Sequence, residues 1–302
     1  MNIKIAYICL CHTEPEIVAR TARALKYGDD GFFVHVDNKQ DASPFIKACE
    51  GISGVHFVEN RIDNFWGGFN SIIATMRTLQ LAMKTDDYDR FVLLQGQDYP
   101  LYSPREIHEF FASHADVEYC KARNVSTSKN KKDYMRCCGY WLMDMKPSGL
   151  MKYARALLHR FNTLGIKYRS PKFKRGNEEW SVYHGWAQFA LTRDCVEYVL
   201  DVYENDTAYN DYMRHRFPPD EIYIPTIIHN SHFKDKVSTD VIRLRTGQET
   251  MINLTYFEYP VYIIVFKDKE DYEWLKKTGC LFVRKLNSSS TELLDEIDSH
   301  IL

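Results

Sequence analysis

The chain has no excess of charge of either sign, because its 39 lysines and arginines are nearly balanced by 41 aspartates and glutamates. A net charge of −2 and a pI near 6.6 provide neither the positive field that attracts nucleic acid nor an acidic tail. We therefore expect no nucleic-acid partner.

Long apolar runs are missing as well. The apolar stretch near the start of the chain is broken at Cys11 and His12, which makes it too short for a membrane span or a secretory signal. The sequence also has no internal repeat and no low-complexity linker. With 302 residues, 45% of them hydrophobic, we expect one large domain over residues 1–302 that stays in the cytoplasm.

Zinc-ribbon spacing is absent from the eight cysteines, and several of them lie in apolar runs. Cysteine in such a run behaves as a small buried hydrophobe, so we expect free thiols. The segment from Cys9 to His12 does not favour a metal site, because on a strand Cys9 and Cys11 share one face and His12 points to the other.

Strand and helix patterns alternate through the first hundred residues. The predicted strands are residues 4–11, 32–37, 55–58 and 90–95, and the predicted helices are residues 14–27 and 70–84. Further helices are expected at 104–114, 147–161, 222–228 and, capped by Thr192 or Asp194, up to residue 204, with a strand at 185–192 and a loop at 124–133. This pattern is typical of a doubly wound α/β sheet flanked by helices.

The segment at residues 91–100 (FVLLQGQDYP) carries a functional signal. A buried strand ends there in Gly96, Asp98 and a loop fixed by Pro100. In open α/β sheets the ligand crevice lies beyond the carboxyl ends of the strands, which favours a functional role for Asp98. Gly-x-Asp is also ordinary turn chemistry, in which the aspartate binds its own backbone.

Three other segments are ambiguous from the residues alone. The loop 64–69, with Trp66 and Gly67, precedes a helix whose free amides could face an anion, although Trp66 could instead cover the sheet edge. Glu221 follows Asp220 and two prolines, so it is either a carboxylate ready to accept a proton or an ordinary first-turn acid. The third segment is a basic run that is either solvated surface or a membrane or phosphate contact, consisting of Lys167, Arg169, Lys172, Lys174 and Arg175.

Several motifs in the same order resemble one enzyme family. They are residues 6–12 (AYICLCH), 34–39 (VHVDNK), 65–68 (FWGG), 93–100 (LLQGQDYP), 190–193 (ALTR), 219–221 (PDE) and 281–285 (LFVRK). Together they resemble the core-2/I-branching β-1,6-N-acetylglucosaminyltransferases, a family that also includes peptide xylosyltransferases. The resemblance runs from about Lys4 to Leu286, and we interpret the chain as a bacterial member.

The resemblance implies a GT-A-like fold, with a nucleotide-binding half at 1–100 and an acceptor and catalytic half at 101–302. It implies an inverting transferase that moves N-acetylglucosamine from its UDP-sugar in β-1,6 linkage, with Glu221 as catalytic base and no metal. The residues also favour the absence of a metal, because no pair of carboxylates follows a strand. Asp87 and Asp89 precede a strand, and Asp98 is flanked by Gln97 and Tyr99.

Sites for the UDP-sugar and for the acceptor also follow from the resemblance. Cys11, His12 and Asp37 would hold uracil and ribose, while Arg284 and Lys285 would offset the charge of the diphosphate. The strand expected at 261–266 lacks the family's phosphate-binding arginine, for which Arg243 or Arg245 is the candidate substitute. Contacts to the donor sugar or acceptor are assigned to Trp66, Gly67, Asp98 and Trp186.

Alternatives to N-acetylglucosamine transfer stay open at this stage. The donor sugar could instead be xylose or another UDP-linked sugar, or the chain could be a nucleotide-sugar-binding protein without turnover. The acceptor is a glycan or a lipid-linked glycan of a bacterial surface polysaccharide. A lipid-linked acceptor would bring the basic run at 167–175 to the inner face of the membrane.

Overall fold

The computed structural model describes residues 3–129, 131–146, 148–166, 169–259 and 262–302. In these residues the strands are β1 (Ile5–Cys11), β2 (Gly31–Val36), β3 (Val55–Phe57), β4 (Arg90–Gln95), β5 (Asp98–Pro100), β6 (Ala122–Asn124), β7 (Lys172–Arg175), β8 (Glu178–Ser181), β9 (Tyr183–Gly185), β10 (Ala190–Thr192), β11 (Ile242–Arg243), β12 (Glu249–Thr250), β13 (Thr255–Tyr256) and β14 (Phe282–Arg284).

The helices of the same residues are α1 (Pro15–Ala24), α2 (Ser43–Ala48), α3 (Asn70–Thr85), α4 (Pro104–Ser113), α5 (Lys131–Asp133), α6 (Gly149–Thr163), α7 (Arg193–Asn205), α8 (Thr207–Met213), α9 (Tyr223–His229), α10 (Asp271–Lys277) and α11 (Thr291–Ile301). Short 3₁₀ turns occur at Val125–Thr127, Pro219–Glu221 and His232–Lys236, and a π turn occurs at Tyr134–Cys138. No helix in the described ranges is both long enough and apolar enough to cross a membrane.

The main sheet has five strands in the order β10-β4-β1-β2-β3. Strands β1 to β4 are parallel, and β10 pairs antiparallel with β4. The chain builds outward on both sides of β1, which confirms the predicted doubly wound mixed sheet. The order reverses between β1 and β4, and a crevice opens at the carboxyl ends of strands where such a reversal occurs.

Strand β1 shows why helices cover both faces of this sheet. Ala6 and Ile8 lie in one hydrophobic cluster, with residues of α3, α7 and α9. Tyr7 and Cys9, which alternate with them, lie in a second cluster with residues of α1 and α4. A parallel sheet that is apolar on both faces needs such a cover on each side.

A second sheet of order β13-β14-β5 corrects the interpretation of residues 98–100 as a loop. These residues form β5, which pairs antiparallel with β14 and places Asp98 opposite Arg284. A third hydrophobic cluster joins this sheet to α10 and α11. The signal at residues 91–100 therefore marks the junction of two sheets.

The predicted strand at 185–192 is also divided. Gly185 ends β9, which pairs with β6, whereas residues 190–192 form β10 in the main sheet. A Cβ at Gly185 would overlap the backbone of Lys121, so the close approach of β6 and β9 requires glycine there. The predicted loop at 124–133 contains the end of β6, a 3₁₀ turn and α5.

Candidate active site

Two cavities meet at the carboxyl edge of the main sheet. We call the first the switch-point cavity: its volume is about 420 Å³, and Cys11, Asp37 and Gln95 at the ends of β1, β2 and β4 line it. The second, the carboxylate cavity, measures about 260 Å³ and contains Glu221 and His184. Trp66, Gly67 and Asp220 line both, so the two cavities share a wall.

The residues expected to contact uracil and ribose lie at the switch-point cavity. Cys11, His12 and Asp37 line it. The Asp37 carboxylate accepts hydrogen bonds from the backbone amides of Lys39 and Asn64, each at 3.1 Å. These bonds fix the loop that follows β2 against the loop at 64–69.

Lys39 is a cation of this cavity that sequence reasoning did not single out. Its ammonium binds Asp37 Oδ2 at 2.5 Å and the carbonyl of Asn64, and it lies over the ring of Phe65. Hydrogen bonds from Lys39 lower the pKa of Asp37 although partial burial opposes them. The only available signal was the position of Lys39 just beyond the end of a strand.

His35 lines the switch-point cavity and is almost fully buried. Its Nε2 accepts a hydrogen bond from the Ile62 amide at 3.2 Å, which requires that nitrogen to be unprotonated. Burial lowers the pKa of His35 to about 4, so the ring stays neutral.

The two cations expected at the diphosphate have different surroundings. Arg284 Nη1 donates to Asp98 Oδ1 at 2.6 Å in a largely buried ion pair. Lys285 is half-buried, and within the described residues its ammonium has no hydrogen-bond or ion-pair partner. Burial and the Arg284 charge lower the pKa of Lys285, and both cations help to lower the pKa of His12. Neither Arg284 nor Lys285 lines the two cavities, and Lys285 is the cation near His12 that has no partner in the described residues.

The assignment of Asp98 to the donor sugar or acceptor is not supported by its surroundings. Asp98 is 1% exposed and bonds to Arg284 and to the Gln95 amide, so its carboxylate has no surface for a ligand. Burial raises the pKa of Asp98, although the Arg284 charge opposes the shift. Asp98 instead fixes Arg284 and the end of β4.

Glu221 lies in the 3₁₀ turn before α9, one turn earlier than expected. His184, which sequence reasoning missed, donates from Nε2 to Glu221 Oε2 at 2.9 Å. Arg123 lies opposite His184 in the β6–β9 pair and donates to its Nδ1 at 2.9 Å, which leaves the His184 proton on Nε2. Asp133 holds Arg123 through two hydrogen bonds of 2.6 and 3.0 Å. These contacts fix one oxygen of Glu221.

Asp220 does not cap a helix. No side chain caps the 3₁₀ turn at Pro219–Glu221, and Asp220 Oδ1 is buried with no hydrogen-bond partner in the described part of the chain. Burial and the neighbouring Glu221 carboxylate raise the pKa of Asp220 to about 7. The carboxyl therefore lies in the shared wall with an unused hydrogen-bonding atom.

The loop at 64–69 carries an indole into the space between the cavities. Trp66 is 80% exposed and meets Phe217 edge to face at 5.1 Å, so it does not cover the sheet edge. Gly67 has φ of +72°, and a Cβ there would overlap the Phe217 ring. The amide of Asn70 at the start of α3 donates to Asp144 Oδ1 at 2.8 Å. The predicted anion at this helix end is thus a carboxylate of the chain itself.

Trp186 lies in the carboxylate cavity, where it packs edge to face against Phe257 at 4.7 Å. Arg136 and Tyr259 line the same cavity. Aromatic faces combined with hydrogen-bonding groups suit a polar ligand with apolar ring faces. Only Trp186 of this group was identified from the sequence.

Arg243 and Arg245 do not occupy the place expected of a phosphate ligand. Arg243 pairs with Glu249 across the exposed β11–β12 hairpin at 3.1 Å. Arg245 pairs with Glu258 and Asp271, and neither arginine lines the two cavities. The strand expected at 261–266 falls partly outside the described residues, and its described part, 262–266, is not a strand.

The basic run, left open from the sequence between solvated surface and a membrane or phosphate contact, has several cations that bind other parts of the chain. Lys172 pairs with Glu179, Arg175 pairs with Asp206 and stacks on Trp180, and Arg169 binds the Tyr212 carbonyl. Lys167 lies outside the described residues. Three of the five cations thus have partners within the chain.

All eight cysteines are buried free thiols, as predicted. Within the described ranges, no group of three or more His, Cys, Asp or Glu side chains is arranged to hold a metal ion.

Comparison with known proteins identifies the family. The model of the Core-2/I-Branching enzyme family matches residues 5–248. Human xylosyltransferase 2 is 22% identical over 238 residues, which cover 76% of this chain and 25% of that protein. Xylosyltransferase 2 of Bos taurus is 20% identical over 268 residues, or 86% and 28%. Human xylosyltransferase 1 is 20% identical over 132 residues, or 42% and 14%.

The chain thus spans about a quarter of the length of the xylosyltransferase 2 proteins that it matches. The family match covers far more than half of the chain. It includes all lining residues of the switch-point cavity and those of the carboxylate cavity up to Glu221. On this match the chain belongs to the Core-2/I-branching enzyme family of glycosyltransferases.

Proposed function

We propose that the chain transfers a sugar from a UDP-sugar to a glycan hydroxyl with inversion at the anomeric carbon, and that Glu221 is the general base. One observation carries this proposal: Glu221 faces the carboxylate cavity with one oxygen held by His184, and the switch-point cavity lies next to it. We expect the nucleotide in the switch-point cavity, because ligands of open α/β sheets bind at such points.

The proposed step is a single displacement. The acceptor hydroxyl gives its proton to Glu221 while its oxygen forms a bond to the anomeric carbon, and the bond from that carbon to the diphosphate oxygen breaks. UDP leaves with the electron pair. The ammonium of Lys285 offsets the negative charge that grows on the diphosphate, and Arg284 adds to the positive field while bound to Asp98.

Asp220 is proposed to bind the donor sugar. Asp220 lines both cavities, next to the place where the anomeric carbon must lie if the nucleotide fills one cavity and the acceptor the other. With a pKa of about 7, the carboxyl can either donate or accept a hydrogen bond from a sugar hydroxyl near neutral pH.

We propose N-acetylglucosamine as the donor sugar, in β-1,6 linkage, with xylose or another UDP-linked sugar as the alternative. A lipid-linked or free glycan of a bacterial surface polysaccharide is the proposed acceptor. Eight reduced thiols suit a cytoplasmic location, because disulfides are rare in reducing compartments. A screen of UDP-sugars that follows UDP release with and without glycan acceptors tests these assignments. Donor binding without UDP release for every acceptor would instead support a non-catalytic binding protein.

The first prediction separates the two adjacent carboxyls. Glu221→Gln keeps size and hydrogen bonding but cannot take a proton, so kcat should fall by about 10²–10⁴-fold while affinity for the UDP-sugar is retained. Asp220→Asn should raise KM for the donor more than it lowers kcat. Near-normal kcat in Glu221→Gln, with a loss of that size in Asp220→Asn, would make Asp220 the base.

Stability against pH gives a second readout on Asp220. Its carboxyl pKa is raised in the folded chain, so the folded state loses stability as pH rises from the ordinary value of 3.8 through 7. Asp220→Asn should therefore be at least as thermally stable as the wild type above pH 7. A lower melting temperature there would restore a supporting role for this side chain.

A further inference from the structure

Helix α6 exposes an apolar stripe that nothing in the described structure covers. Leu150, Tyr153, Leu157 and Phe161 are spaced by three or four residues and are 86%, 73%, 52% and 39% exposed. Leu164, which ends the helix, continues the stripe and is 62% exposed. Residues at this spacing share one face of a helix, so the stripe is continuous over its length.

The opposite side of α6 faces the protein. Asn162 is buried and binds both the amide and the carbonyl of Tyr140 at 3.0 Å. Arg155 and Leu158 line a cavity of about 470 Å³ that also contains Trp66 and Phe217. The exposed stripe is therefore a separate face of the helix, and the cavity on its other side shares Trp66 and Phe217 with the carboxylate cavity.

Positive charge is concentrated around this stripe. Residues 145–166, which include α6, contain four lysines and arginines and no aspartate or glutamate, although the whole chain has a net charge of −2. On α6 itself, Lys152 and Arg160 are exposed and have no ion-pair partner within the described residues. At about 100° per residue, Arg160 borders the stripe and Lys152 lies further round the helix.

We propose that this face of α6 docks on an anionic phospholipid bilayer, with the stripe in the interfacial zone, Arg160 at the headgroups beside it and Lys152 further round the helix. An amphipathic helix with a cationic border binds such a surface through apolar burial and charge attraction. Two copies of this face would carry like charge against each other, which disfavours a dimer through it. The docking does not depend on the proposed reaction.

Flotation of the full chain with vesicles tests the proposal. The wild type should float with vesicles that contain phosphatidylglycerol and about tenfold less with pure phosphatidylcholine, because each cation near an anionic surface adds about 1 kcal/mol. Leu150→Ser/Tyr153→Ser/Leu157→Ser should lower binding by about tenfold or more, since serine removes the buried apolar surface. Lys152→Gln/Arg160→Gln should remove the preference for anionic lipid.

The matched control is Lys172→Gln/Lys174→Gln on β7, which removes the same charge outside α6 and should leave flotation unchanged. Melting temperature and turnover on a soluble acceptor should stay at wild-type values in the stripe variant, which separates failed docking from failed catalysis. Equal flotation of the wild type and the stripe variant would overturn the proposal. So would a wild-type dimer that the stripe variant converts to a monomer without any vesicle binding.

Discussion

Arg284 and Lys285 are sequence neighbours with different tasks. The carboxylate of Asp98, with no exposed side-chain surface, depends on Arg284 as its partner, whereas the Lys285 ammonium has none in the described residues. A cation already paired inside the protein stabilises the fold first, and an unpaired half-buried cation is available to an anionic ligand. Substitution of Lys285 should therefore affect ligand binding, whereas substitution of Arg284 should affect stability.

The second prediction is that Lys285→Ala weakens UDP-sugar binding about tenfold or more with little loss of stability, because a charge-assisted contact is worth about 1.5–3 kcal/mol. Arg284→Ala should cost about 3–5 kcal/mol of unfolding free energy, because it leaves Asp98 buried and unpaired. Calorimetric donor titration and urea unfolding of both variants measure these effects. Unchanged donor affinity in Lys285→Ala would remove this lysine from the diphosphate site.

The third prediction concerns His184 as a positioning residue. His184→Ala should lower kcat by about tenfold, the equivalent of one lost hydrogen bond, while donor affinity is unchanged. His184→Gln, whose amide can still donate to Glu221, should recover part of that loss. If alanine and glutamine variants have equal kcat and only their melting temperatures differ, His184 is a structural residue.

At the scale of elements, the beginning of α3 controls the loop at 64–69 that forms part of both cavities. Asp144 binds the first amide of α3, and its carboxylate also suits the positive end of the helix dipole. Helix α4 begins with an equivalent device far from the cavities, a capping box between Ser103 and Glu106. These two helix ends form a matched pair.

The fourth prediction follows from this pair. Asp144→Ala and Ser103→Ala should each cost about 1 kcal/mol of unfolding free energy, the usual effect of a lost helix cap. Only Asp144→Ala should also lower kcat/KM, because it releases the loop that holds Trp66. Thermal unfolding and steady-state kinetics measure both effects. Equal kcat/KM in the two variants would show that the loop keeps its place without Asp144.

Elements with a long periodic pattern were predictable from the sequence. Helix α3 was expected at 70–84 and spans Asn70–Thr85, and β4 was expected at its observed bounds, Arg90–Gln95. The three residues of β5 escaped prediction because their strand partner, β14, lies about 180 residues further along the chain. Pairing over that distance leaves no local pattern in so short a strand.

The same distinction applies to the candidate site: residues at the ends of predictable strands could be placed from the sequence, and residues that depend on distant contacts could not. The sequence could place Cys11, His12 and Asp37 together at the sheet edge because they end or follow predictable strands. His184 was missed because its task depends on Arg123 opposite it and on Glu221 in a distant turn. For Arg243 and Arg245, the sequence does not reveal that each already has a carboxylate partner.

At the scale of the whole molecule, the distribution of charge matters more than the net value. At the carboxyl edge of the main sheet, the pKa of His12 is lowered by burial and by the charges of Lys285, Arg284 and Lys39. Arg284 and Lys39 are each paired with a carboxylate, so within the described residues Lys285 is the one of the three whose charge is not already neutralised and can offset the charge of a diphosphate.

The fifth prediction is that sugar transfer proceeds at an unchanged rate in the presence of EDTA, because Lys285 and its neighbours supply the positive charge. Rates measured before and after chelation, and again after addition of manganese or magnesium, check this expectation. Loss of turnover in EDTA with recovery on adding either metal would contradict it.

Trp66 provides an optical consequence of the way the cavities share a wall. Its indole is 80% exposed, whereas Trp180 is buried, so water surrounds much of the Trp66 ring when both cavities are empty. A sugar or nucleotide that enters either cavity displaces that water and changes the polarity around the indole. The intrinsic fluorescence of the chain should therefore report occupancy directly, and a Trp66→Phe variant identifies the part of the signal that comes from this one residue.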